Sequence, residues 1–117
     1  MWQKEYIPDE DSLYRRIHPD HYVEEEDRVA SGAFRGRDDY ELSVNWDKYT
    51  TPEKAIRKYP RHHLASLQAR VPREVNQTVE HTPSHRDRSH SSIIGKKTIA
   101  IARHLARNSI LIIRPKN

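Results

Sequence analysis

No run of apolar residues in this 117-residue chain is longer than four, and seven prolines cut it at intervals from Pro8 to Pro115. Every element must therefore be short, because proline removes a ladder donor from a strand and disfavours helical geometry in the residue before it. Leu, Ile, Val and Phe together supply only 23 residues, against 32% charged residues and a mean hydropathy of -1.03. A core drawn from so little apolar surface has to be thin, and the length is that of one ordinary domain.

The segments between the breaks alternate in type. Leu13 to Ile17 reads as a strand ended by Pro19, and Glu41 to Val44 as another. Between them, residues 20–41 carry the self-repelling run Glu24 to Asp27 and read as a solvated loop, with Ser31 to Phe34 as a short ordered stop. Thr50, Thr51, Pro52 and Glu53 form a capping-box pattern that starts a helix running to about Lys58. Ala65, Leu67, Ala69 and Val71 alternate with Ser66, Gln68 and Arg70, which predicts a strand with one buried face. Further strands are expected at Gln77 to His81, His90 to Ile94 and Ile110 to Ile113, with a second helix over Lys96 to Asn108 after Gly95. The expected fold is α+β: a single small domain over 13–117, with a short-stranded, mainly antiparallel sheet and two helices, preceded by a flexible arm over 1–12.

Composition narrows the chemistry. With no cysteine there is no disulfide, thiolate zinc site or cysteine nucleophile, and nothing approaches the roughly 20 apolar residues of a membrane span. Met1 to Asp11 resembles neither a secretory signal nor a transit peptide, so a cytoplasmic location is expected. Walker A, Gly-x-Gly-x-x-Gly and nucleophile-elbow patterns are missing, and no cofactor is expected.

The net charge of +4 hides a split. Residues 1–60 carry 10 Lys/Arg against 14 Asp/Glu, whereas residues 61–117 carry 11 against 3. On a wheel with Ile99 at 0°, Ile101, Leu105, Ala102 and Ala106 fall between about 200° and 340°, an apolar arc. Arg103, Lys96, Arg107, His104 and Lys97 fall between about 40° and 160°, with no acid among them. Cations without acidic partners one turn away stay available to a polyanion, and Gly95 before a helix start flanked by Lys96 and Lys97 suits phosphate. Arg86 and Arg88 in the Thr82 to Ser89 loop extend this candidate phosphate-binding set. All nine aromatic residues lie before residue 60, which favours contact with a duplex backbone or an acidic protein surface over base stacking.

Eight histidines raise two other chemistries. His81, His85 and His90 have intervals that zinc accepts, but Arg86 and Arg88 between them oppose a dication, and no metal is expected. The same three are candidate acids and bases for metal-free phosphodiester or nucleotide chemistry. His90, Ser91 and Ser92 match the His-x-Ser pattern of two-histidine phosphoesterases, which need it twice; His81 and His63 both fail at the third position. Three readings follow: a binding module that contacts nucleic acid or another polyanion through the last helix, a metal-free phosphoesterase, and a structural subunit whose acidic and basic halves meet across a homo-oligomer.

Overall fold

Among the described residues the proline-cut segments become eight strands and three α-helices. A computed structural model describes residues 2–36, 38 and 40–115; Met1 of the expected arm, Arg37 and Asp39 of the expected loop, and the last two residues lie outside the described residues. The strands are β1 (Ser12–Ile17), β2 (Tyr22–Val23), β3 (Arg28–Val29), β4 (Glu41–Trp46), β5 (His63–Gln68), β6 (Thr78–His81), β7 (His90–Ile94) and β8 (Ile110–Ile113). The helices are α1 (Pro52–Ile56), α2 (Arg70–Arg73) and α3 (Ile99–Arg107). Six strands form one antiparallel sheet in the order β6-β7-β4-β1-β5-β8, and β2 pairs with β3 in a separate hairpin. This is an α+β fold with an antiparallel sheet, and among the described residues no helix is long and apolar enough to cross a membrane.

Register sorts the side chains into two unlike faces, since directly opposed residues point the same way. Leu13 opposes Trp46 and Leu67, Leu42 opposes Ile93, and Val79 opposes Ile93. These residues, with Ile17, Val44 and Ala65, form the apolar face, and Ala102 and Leu105 of α3 join their buried cluster together with Ala33 and Phe34 of a 3-10 turn over Ser31–Phe34. The other face carries Tyr14, Arg16, Ser43, Asn45, Ser66, His90 and Ser92, and α1 packs against its β1 and β5 end. The core is thus one layer between a sheet and α3, in line with the small apolar complement.

Three expectations are corrected. Ala69 and Val71 are buried, as their alternation demands, but the backbone turns helical after Gln68. The Ala69 N–H donates to Asp11 O (2.9 Å) and the Arg70 N–H to Asp9 O (3.0 Å), so the N-terminal segment takes donors that a strand would give to a neighbour. Pro72 sits in the first turn of α2, where its missing N–H is not needed. Second, the expected flexible arm contains no strand before β1, yet it packs: Ile7 is 1% exposed, Glu5 N–H donates to His81 Nδ1 (3.1 Å), and Trp46 Nε1 donates to Asp11 Oδ2 (3.0 Å). Third, α1 is capped by Thr51 rather than Thr50, its Oγ1 accepting from Lys54 N–H at 3.3 Å.

Lys97 departs furthest from its expected role. It is fully buried, and its ammonium donates to Tyr40 O (2.7 Å), Ile93 O (3.0 Å) and Gly95 O (2.6 Å). It therefore offers nothing to a phosphate; it ties the end of β7 and the turn into α3 to the residue before β4. Gly95 has φ +142°, a conformation that favours glycine, and a Cβ there would lie 2.8 Å from the Gln77 amide. The helix begins four residues later at Ile99, capped by Thr98, whose Oγ1 accepts from Ile101 N–H (3.2 Å), so neither Lys96 nor Lys97 lies in its first turn. Burial lowers the Lys97 pKa from 10.5 to about 8, against the opposing pull of Asp38 and Glu41.

Replacing Lys97 with Met removes the ammonium shared by the Tyr40, Ile93 and Gly95 carbonyls and is expected to cost about 2–4 kcal/mol in urea denaturation at neutral pH. Between about pH 8 and 10.5 the folded chain holds fewer protons at Lys97 than the unfolded chain does. Wild-type stability should therefore rise relative to Lys97→Met as pH climbs through that window. Equal stabilities, or a gap that narrows with rising pH, would contradict this role.

Candidate functional site

One side of α3 forms a wall of a cleft of about 810 Å³. Arg103, Ala106 and Arg107 line it from the helix, Ile110 and Leu111 from β8, and Asp27 to Ser31 from the β2–β3 hairpin and the turn beyond it, with Arg114 at one end. Arg103 and Arg107 lie one turn apart because a helix places i and i+4 on one stripe. Ala102 and Leu105 on the opposite stripe are fully buried and fix which side of α3 meets solvent. Ile99, assigned to the apolar arc by the wheel, is 55% exposed, since the sheet beneath covers only the middle of that arc.

The four arginines of the cleft differ in their partners. Arg114 forms a two-point pair with Asp27, Nε to Oδ1 at 3.2 Å and Nη2 to Oδ2 at 2.6 Å. Those bonds, with a further one from the Tyr22 hydroxyl at 2.6 Å, hold the Asp27 carboxyl below the usual carboxylate range. Arg28 pairs with Glu26 at 3.0 Å. Arg103 and Arg107 have no ion-pair partner among the described residues. The cleft thus has a neutralised end and an open cationic wall.

The remaining members of the expected phosphate-binding set are dispersed. Arg88 stacks over Tyr49 (4.0 Å) and Trp2 (4.5 Å) and approaches Glu5 (3.8 Å), so it holds the N-terminal segment down. His104 lies 3.5 Å from Glu74. Lys96 is exposed beyond the start of α3, and Arg86 lines a different cleft. The structure brings together Arg103 and Arg107 alone from that set. Arg28 and Arg114 were missed, and their place beside α3 follows from β8 and the β2–β3 hairpin meeting across the cleft, which no local pattern announces.

The three candidate catalytic histidines do not converge. His81 opposes Ser91 across the β6–β7 ladder, so its neighbour-in-register His90 points to the other face. His81 is 2% exposed with both nitrogens engaged, Nδ1 accepting from Glu5 N–H and Nε2 donating to Arg88 O at 2.7 Å. Its ring packs against Trp46 and Tyr49. His90 Nδ1 is 2.9 Å from both Thr82 oxygens, and His85 is exposed at the turn. Among the described residues no three of His, Asp and Glu are grouped so as to hold a metal ion.

The charge split also looks different in space. Arg73 pairs with Asp9 (2.6 Å), Arg114 with Asp27, and Arg88 approaches Glu5, so the halves meet within one chain. The aromatic half likewise reaches the basic half, with Arg73 over Tyr6 at 5.0 Å and Arg88 over Tyr49. Compared with protein-family models, curated proteins and solved structures, the chain finds no match.

If His81 is a structural pin, His81→Ala should lower stability by about 2–4 kcal/mol through the cavity and the two released backbone groups. His85→Ala, on an exposed turn, should stay within about 0.5 kcal/mol of wild type. Thermal denaturation of both variants checks the contrast, and equal melting temperatures would refute it.

Proposed function

We propose that the protein is a small binding module that grips the phosphate backbone of nucleic acid in the cleft beside α3. One observation carries the reading: Arg103 and Arg107 stand side by side on the wall of a roomy cleft with no carboxylate partner among the described residues. Guanidinium groups suit phosphate because their planar donors match two oxygens at once. Arg28 and Arg114 add cations at the rim, where phosphate can compete with their exposed acid partners. The contacts are sequence-independent, since phosphate contacts position a nucleic acid without reading its bases.

The phosphoesterase reading has less to stand on. It needs an imidazole acid and base within reach of one phosphoryl group, and His81 and His90 lie on opposite faces of the sheet.

Fluorescence anisotropy with labelled duplex DNA, single-stranded DNA and RNA at several salt concentrations tests the binding reading. Wild-type binding should weaken steeply with salt. The double substitution Arg103→Glu with Arg107→Glu should abolish measurable binding, while the corresponding Ala pair reduces the salt slope by roughly two. Binding unchanged in both doubles, or no binding by wild type at low salt, would overturn the reading.

A further inference from the structure

A second cleft, of about 380 Å³, opens on the polar face of the sheet between α1 and the turn that ends at Ser89. Its floor is set by two neighbouring strands. Tyr14 of β1 opposes Asn45 of β4, which puts Arg16, two residues further along β1, on the same face as Asn45. Arg57, Lys58 and Tyr59 close one side and Arg86 and Asp87 the other.

Arg16 is held from three directions by groups that do not neutralise it. Its Nη1 donates to Asn45 Oδ1 (3.2 Å) and Ala55 O (3.3 Å), and its guanidinium lies over the Tyr59 ring at 4.2 Å. Nε and Nη2 meet no acceptor among the described residues. Those two groups share one edge of the guanidinium, and their parallel N–H bonds match two oxygens of a tetrahedral anion. Asn45 is only 8% exposed and cannot swing away, because its Nδ2 donates to Asp87 Oδ2 (3.0 Å) and Ser89 Oγ (2.9 Å). Asp87 is the sole carboxylate lining the cleft among the described residues, and its other oxygen already accepts from Ser89 N–H (3.0 Å) and Ser89 Oγ (2.6 Å). The acid therefore positions Asn45, Asn45 positions Arg16, and the lining keeps a strong positive excess from Lys54, Arg57, Lys58 and Arg86.

We propose that this cleft binds a phosphate monoester, with the Nε and Nη2 edge of Arg16 on two phosphate oxygens and Arg86 and Arg57 answering the remaining charge. A monoester fits better than a diester because several cations face one small space, and a terminal phosphate carries the second negative charge that a diester lacks. The volume lies at the small end of the range for ligand pockets, which suits a free ester or the phosphorylated end of a chain rather than an internal stretch of it. This inference is independent of the α3 reading, since the two clefts share no lining residue.

The test is a titration of the full chain, followed by amide NMR shifts, with adenosine monophosphate, adenosine, a 5′-phosphorylated tetranucleotide and the same tetranucleotide without its phosphate. Shifts should gather around Arg16, Asn45, Tyr59 and Arg86 with a phosphorylated probe and vanish without the phosphate. Saturation by adenosine monophosphate would identify a free ester as the source, and saturation by the phosphorylated tetranucleotide alone would identify a chain end; either supports the site. Arg16→Lys, which keeps the charge and loses the fork, should weaken binding about tenfold. Arg86→Ala, on an exposed turn, should weaken it several-fold, and the Arg103→Glu with Arg107→Glu double should leave the adenosine monophosphate shifts around Arg16 unchanged. No shifts around Arg16 with either phosphorylated probe, equal shifts there with the unphosphorylated probes, or indifference of those shifts to both Arg16→Lys and Arg86→Ala would overturn the proposal.

Discussion

The buried ammonium of Lys97 is the interaction on which the arrangement of this domain rests. Three carbonyl oxygens, from Tyr40, Ile93 and Gly95, converge on one nitrogen, and Gly95 N–H also donates to Tyr40 O at 3.0 Å. These bonds lock the turn that leads into α3 against the strand that lies next to β7. They fix where α3 crosses the sheet, and hence which stripe of it reaches the cleft. A charge so placed is costly to desolvate, and the three carbonyls that accept from it offset that cost. Arg15 plays a parallel part from the sheet: its Nε donates to Ala33 O (3.1 Å) and its Nη1 to Ser43 O (3.0 Å), while burial lowers its pKa to about 10. A chain poor in apolar residues thus uses cations inside the fold to hold loops that a larger core would hold by packing.

A second consequence concerns the two faces of the sheet. One face carries the apolar residues and is covered by α3 and the Ser31–Phe34 turn; the other is polar and only partly covered by α1. An antiparallel sheet tolerates water on one side, so the polar face need not be buried for stability. That leaves Arg16 and Asn45, on two central strands, at the floor of a cleft and on a rigid base. Side chains rooted in central strands are held more closely than those on loops.

Several elements were legible in the sequence because they depend on local periodicity. Leu13 to Ile17, His90 to Ile94 and Ile110 to Ile113 are strands where alternation or short apolar runs placed them, and the burial of Ala102 and Leu105 follows from their wheel positions. Ala69 and Val71 show the limit of that logic. A residue two positions on is buried in a strand, and it can equally be buried where the chain turns into a helix, so the period indicated burial and misassigned the backbone. Of the cations lining the second cleft, Arg86 belongs to the expected phosphate-binding set, and the others fall outside it for a different reason. Lys54, Arg57 and Lys58 sit close together, but averaging over an acidic first half concealed them.

The sequence by itself determined that the elements are short, that they form an α+β domain, and that Ala102 and Leu105 of α3 face the core. Those properties arise from neighbours a few residues apart, through proline geometry and the helical and strand periods. Only the tertiary structure decided which cations are free. Lys97 is quenched by a carbonyl 57 positions away and Arg114 by a carboxylate 87 positions away, while Arg103 and Arg107 have no ion-pair partner among the described residues. The availability of a charge depends on what lies within a few ångströms in space, and at such separations the chain topology alone sets that neighbourhood.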